Sequence, residues 1–248
     1  MTEAVLTAES LVRQYGGVRA VNGVSFSLRK GEILGLIGPN GAGKTTTFNL
    51  LSGFAVPQVG TVTFEGNDIT KWSPSRRAQR GLVRTFQQAR CFAALSVRDN
   101  IRIAVDALST HSRREQLGGE DEGSLIDEHL DQFGLLAFRN ARAGDLSYGQ
   151  LKRLGVVTAA CTRPTVLLLD EPAAGLNGAE VRQLRSDLEH LRGTLGISVC
   201  LVEHNMGLVM SVSDRLVVLD AGELLAEGTP SEISQNDEVI RAYLGGDK

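Results

Sequence analysis

The octapeptide GPNGAGKT, Gly38 to Thr45, constrains this chain more than any other stretch. It fits G-x-x-x-x-G-K-[ST], a loop that follows a strand and opens a helix. Both flanks comply: EILGLIG reads as a buried strand, and KTTTFNLLSGF has helical spacing. Gly38, Gly41 and Gly43 let the loop curl until backbone N–H groups point inward at phosphate oxygens. The following helix adds its positive N-terminal end. Lys44 supplies a mobile cation for the β- and γ-phosphates, and the Thr45 hydroxyl is a Mg²⁺ ligand. Gly38, Pro39, Asn40, Gly41, Ala42, Gly43, Lys44, Thr45 and Thr46 are therefore the candidate nucleotide-phosphate residues.

A second stretch, TVLLLDEPAAGLN from Thr165 to Asn177, runs from apolar to doubly acidic. An ionised carboxylate is costly to bury unless it is paired or metal-bound. Beside a phosphate loop the pattern makes sense: a second apolar strand ends in Asp170, which holds Mg²⁺. Glu171, one residue on, turns to another side and faces an attacking water as general base or orienting carboxylate.

The chain has 248 residues, 42% hydrophobic and 22% charged, which is ample for a soluble core. A net charge of −3 argues against a nucleic-acid binder. Cys91, Cys161 and Cys200 are far apart and form neither a metal spacing nor a disulfide framework, which fits a reducing compartment. No signal peptide and no bilayer-spanning apolar run is visible. Any membrane attachment must come through other proteins.

The first thirty residues read as short strands of an antiparallel sheet, broken at Gly16-Gly17 and Asn22-Gly23. GTVTFEGNDI reads as a further strand and turn. From about Ser73 to Thr162 the pattern is helical, with GEDEG (119–123) a surface loop. Strands then return: TVLLLD, a helix from about Ala179 to Gly193, ISVCLVEH, and a hairpin around Asp220-Ala221-Gly222. Alternating strands and helices imply an α/β fold with a mainly parallel sheet core, into which the helical middle is inserted.

In this order, the phosphate loop, TFQ with Gln87, LSYGQ (Leu146–Gln150), LLLDEP and LVEH with His204 resemble the ATP-binding subunits of ABC transporters along essentially the whole chain. The resemblance implies a P-loop NTPase of ABC type: a core at 1–87 and 163–248 with an N-terminal antiparallel β subdomain, and a helical subdomain at 88–162 carrying the signature motif. It implies ATP and Mg²⁺ as cofactors. By it, Gln87 reaches Mg²⁺ and the attacking water, and His204 contacts the γ-phosphate. Tyr15 stacks on adenine, the alternative being an aromatic of the sheet, and Ala20 touches the base or ribose. Ser147 reads as a helix N-cap suited to an anion; with Gly149 and Gln150 it would hold the γ-phosphate of ATP bound to a second subunit, in a head-to-tail dimer. Two departures stand out: Tyr148 replaces the first glycine of L-S-G-G-Q, and Ala174-Gly175-Leu176-Asn177 replaces Ser-Ala-Leu-Asp.

GLVRTFQ, LSYGQ, EPAAGLN, LVEHNM and the tail GTPSEI…VIRAYLG are similar to the branched-chain amino-acid importer branch. That branch implies two ATPase subunits of the same or related chain beneath two integral membrane permease subunits. A substrate-binding protein acts indirectly, and the ATPases lie peripherally on the cytoplasmic face of the inner membrane. The helical surface from Gln88 to Leu108 is the expected permease contact. The alternatives are the ATPase of a lipopolysaccharide exporter and, more remotely, a soluble ABC ATPase acting on nucleic acid or ribosomes. The transported substrate is not readable.

Overall fold

The computed structural model describes residues 3–86, 91–108 and 122–244. Two sheets form the frame. Strands β1 (Ala4–Tyr15), β2 (Val18–Arg29), β4 (Val59–Phe64) and β5 (Asn67–Asp68) make an antiparallel sheet in the order β2-β1-β4-β5. Strands β3 (Ile33–Ile37), β6 (Leu82–Arg84), β7 (Val166–Asp170), β8 (Ser198–Val202), β9 (Arg215–Asp220) and β10 (Glu223–Gly228) make the second, in the order β10-β9-β3-β8-β7-β6. All its pairings are parallel except β9 with β10, the expected hairpin.

Strands β3, β7 and β8 are buried at every position because both faces of the sheet are covered. Side chains alternate across β7: Val166 and Leu168 enter a core shared with the antiparallel sheet and with Phe48, Leu50 and Leu51 of helix α1 (Lys44–Ser52). Leu167 and Leu169 point the other way. There they meet the inserted helices α3 (Val97–Leu108), α4 (Glu122–Gln132) and α5 (Tyr148–Cys161), together with α6 (Gly178–Gly193) and α7 (Met206–Val212). The second layer therefore places the insertion against one face of the parallel sheet.

Arg77, on helix α2 (Pro74–Gln79), is the largest of the fully buried side chains. Its guanidinium donates to the carbonyls of Leu50 and Leu51 at 2.8 and 2.6 Å, and to those of Ile69, Thr70 and Trp72 at 2.8, 3.0 and 3.2 Å. It satisfies the last turn of α1, where a cation is favoured. Burial pushes its pKa down to about 10, against the charge of Asp68.

The expectations hold for most elements, with three differences. Asn22-Gly23 does not break a strand: β2 continues, with Gly23 (φ 74) absorbed as the extra residue of a β-bulge between the Leu11–Val24 and Val12–Asn22 pairs. The Ser73–Thr162 region also contains β6, which pairs with β7 as the sheet edge and is too short to show periodicity. Glu122 and Gly123 belong to α4 rather than to a loop, and 119–121 lie outside the described residues. Short helices α8 (Pro230–Ser234) and α9 (Asp237–Leu244) close the described chain.

Candidate active site

The phosphate loop leaves the C-terminal end of β3, the edge where ligands bind in open α/β sheets. One of its carbonyls is held by a neighbouring turn, which is itself tied to β2. Gly222 N donates to Ala42 O at 3.2 Å, and Asn22 N donates to Gly222 O at 2.7 Å. Gly43 (φ 96) lies so close to β2 that a Cβ there would stand 2.4 Å from the Ala20 carbonyl oxygen. Ala20 thus sits against the loop through its backbone. Lys44 is buried, and its Nζ donates to the carbonyls of Gly38 and Pro39 at 2.7 and 2.9 Å. Burial lowers its pKa and the Glu171 carboxylate opposes that, so the two lie within electrostatic reach. Asn40, Gly41 and Thr45 are exposed, while Pro39 and Thr46 are half-buried.

Asp170 ends β7, buried, and Glu171 follows at a backbone φ of 47°. That left-handed setting is rare for a non-glycine residue. Three contacts impose it and fix what lies beside it. Glu171 N donates to Val202 O at 2.8 Å, and its carbonyl accepts from Lys152 Nζ at 3.1 Å. Its Oε1 lies 3.1 Å from His204 Nε2. The structure therefore brings Lys44, Asp170, Glu171 and His204 to one end of the parallel sheet.

Sequence reasoning overlooked Glu203. It is buried, accepts from Ala173 N through Oε1, and accepts from His204 N and Asn205 N through Oε2 at 3.0 and 3.2 Å. One carboxylate thus fixes both the segment after Glu171 and the backbone of His204. An acidic residue at the end of a fully buried strand was the available signal.

Tyr15 stands at the end of β1, 46% exposed, with the Arg13 guanidinium 4.8 Å from its ring centre. It is free to meet a planar group. Gln87 lies outside the described residues. For a divalent cation the described residues offer the Asp170 carboxylate and the Thr45 hydroxyl, an all-oxygen set. Mg²⁺ needs only one or two such protein ligands when substrate phosphates supply others. The donor chemistry fits. No cluster of three or more His, Cys, Asp or Glu suited to a metal occurs among the described residues.

Residues 21–174 match the family model described as ABC transporter. The chain belongs to the ABC transporter family. Within it, residues 223–248 match the model described as branched-chain amino acid ATP-binding cassette transporter. The cassette is 40% identical to the high-affinity branched-chain amino acid transport ATP-binding protein BraF of Pseudomonas aeruginosa, over 99% of each chain. It is equally identical, at the same coverage, to LivG of Escherichia coli, a protein of the same description. The lipopolysaccharide export system ATP-binding protein LptB of Escherichia coli is 36% identical over 98% of each chain. Among solved structures, the ADP conformation of an ATP-binding cassette of an ABC transporter superposes with a TM-score of 0.85 at 29% identity, covering 98% of this chain and 100% of that one. The cassette is an ATP-hydrolysing one.

The two departures from the cassette pattern meet in space. Ser147 N-caps α5 in a capping box with Gln150, at 3.3 and 2.9 Å, and Gly149 is buried in the first turn. Tyr148 lies over Gly175 (φ 78): a Cβ on Gly175 would stand 2.9 Å from its Cε1. The aromatic ring occupies the space that an alanine at 175 would need. Asn177 caps α6, its Oδ1 accepting from Ala179 N and Glu180 N at 2.9 and 3.1 Å. Lys152 of α5, 5.7 Å from the Tyr148 ring centre, links α5 to the Glu171 carbonyl. Arg153 anchors the same helix on Asp187 of α6 at 3.0 Å.

Proposed function

We propose that the cassette powers uptake of branched-chain or other small amino acids. It pairs head to tail with a second ATP-binding subunit, the same chain or a related one, under two integral membrane permease subunits. A substrate-binding protein delivers cargo to those permeases without touching this chain. The observation that carries the reading is the 223–248 match to the branched-chain model, supported by 40% identity to BraF and LivG along their whole lengths. The lower identity to LptB keeps lipopolysaccharide export as the second reading. Among the described residues no helix is long and apolar enough to cross a membrane. Attachment to the cytoplasmic face of the inner membrane therefore falls to the permeases.

The side chains divide the chemistry as follows. Lys44 and the loop N–H groups bind the β- and γ-phosphates, and Tyr15 meets the adenine. Thr45 and Asp170, with Gln87, hold Mg²⁺, which when bound offsets phosphate charge. Glu171 orients the attacking water and accepts its proton. His204, 3.1 Å away, fixes that carboxylate and faces the γ-phosphate. Ser147, Gly149 and Gln150 at the start of α5 meet the γ-phosphate of ATP held by the second subunit, where the helix end favours an anion.

We assign 1–87 and 163–248 to the core and 88–162 to the helical subdomain that moves with the permeases. An apolar cleft of about 310 Å³ lies where they join, lined by Val83, Phe86, Cys91, Phe92, Ile103 and Leu151. Its exposed aromatic Phe92 suits the permease contact expected between Gln88 and Leu108; residues 88–90 lie outside the described ones.

The test is co-purification. The Glu171→Gln variant is tagged, extracted gently from native membranes with ATP, and its companions are identified by mass spectrometry. Two polytopic subunits with a related ATPase are expected. Recovery of envelope-spanning lipid-export components would overturn amino-acid uptake in favour of export.

A further inference from the structure

Arg84 closes a junction that none of the motifs accounts for. It is the last residue of β6, ahead of the Gln87 segment. Its Nη2 donates to Asp170 Oδ2 at 2.7 Å. Its Nη1 donates to Asn49 Oδ1 at 2.8 Å and Ser52 Oγ at 2.9 Å, both on α1. The rings of Phe48, Phe54 and Phe86 stand 5.6 to 5.7 Å from the guanidinium carbon. The side chains of Arg84 and Asp170 are only 7% and 12% exposed.

An ionised carboxylate is costly to bury without an opposite charge beside it, and removing one member of a buried pair leaves the other uncompensated. The described geometry supplies that charge from the protein itself. We propose that Arg84 is the resident counter-cation and positioning residue of Asp170. It fixes one carboxylate oxygen against α1 and sets a positive charge beside the group whether or not a divalent cation is present. It also offsets part of the negative charge that Asp170, Glu171 and the nucleotide phosphates bring together. This rests on Asp170 acting as the metal carboxylate.

Two predictions separate the role from simple scaffolding. Without Arg84, metal-free nucleotide meets an uncompensated carboxylate and binds more weakly. Metal-loaded nucleotide is affected far less, because the cation takes over the compensation. A scaffolding residue would weaken both alike.

The experiment is calorimetric titration of the purified chain with ADP, in Mg²⁺ and in EDTA, for the wild type, Arg84→Met, Arg84→Gln and Arg84→Lys. The ratio of the two dissociation constants is the readout. It is expected to rise at least about tenfold in Arg84→Met and Arg84→Gln, the scale of a lost charged hydrogen bond. Arg84→Lys should fall between them and the wild type. Arg84→Gln carries the test should Arg84→Met fail to fold, since it keeps a donor for Asn49. A wild-type ratio well above one that the neutral variants leave unchanged overturns the inference alone. A wild-type ratio of one removes the metal reading of Asp170, and the inference with it.

Discussion

His204 and Glu171 meet at 3.1 Å, Nε2 to Oε1, across 33 residues of sequence. The pair links the ends of two neighbouring parallel strands, β8 and β7. Glu203 holds the His204 backbone from behind, so the imidazole has a fixed base from which to orient the carboxylate. His204→Ala should therefore reduce turnover by about a hundredfold, the cost of misplacing a reacting group, while ATP affinity stays near wild type. Steady-state hydrolysis alongside equilibrium ATP binding checks it. Equal losses in both would mean that His204 serves binding alone.

Tyr148 and Gly175 should behave as a matched pair. Gly175→Ala places a Cβ 2.9 Å from Tyr148 Cε1 and adds strain at φ 78. Tyr148→Gly in the same chain removes the collision and leaves only the strain. A double-mutant cycle on ATP-driven dimerisation is expected to show a coupling of about 0.5–3 kcal/mol. Strict additivity would mean that the ring and the loop act independently.

Arg77→Met should unfold the chain more readily than any surface change. It leaves the carbonyls of Leu50, Leu51, Ile69, Thr70 and Trp72 without that donor in a dry interior. The expected cost is about 3 kcal/mol or more, and thermal melting reads it as a drop of roughly 6–12 °C. An unchanged melting temperature would show that α2 can part from α1 freely.

Cys91 offers a reporter for the cleft. Burial pushes the Cys161 thiol up to about 12 and the Cys200 thiol higher still, and both side chains are almost wholly covered. A maleimide should therefore label Cys91 in the native chain and spare the other two. In the assembled transporter that labelling should slow markedly. Undiminished labelling would place the permease contact elsewhere.

What could be read from the sequence was local. The phosphate loop, the Asp170-Glu171 strand end and the Ser147 cap each declare themselves within a few residues: Ser147 and Gln150 satisfy one another three positions apart. The apolar run of β3 likewise marked a buried strand. The residues that escaped are those whose meaning lies in a distant partner. Arg84 finds Asp170 at a separation of 86 residues, Glu203 finds Ala173 at 30, and Lys152 finds Glu171 at 19. No spacing rule connects them. Strand β6 escaped for a related reason: it is defined by pairing with β7 more than by its own three residues. Likewise Asn22-Gly23 has the composition of a turn, and only the pairing of β1 with β2 turns it into a bulge.

The central claim is that Glu171 activates water for ATP hydrolysis. Its most direct test is single-turnover hydrolysis by Glu171→Gln with the oligomeric state followed by light scattering. The variant is predicted to bind ATP as the wild type does, to hydrolyse it about 10²–10⁴-fold more slowly, and to accumulate as an ATP-bound dimer. Turnover at the wild-type rate, with no such dimer, would contradict the account.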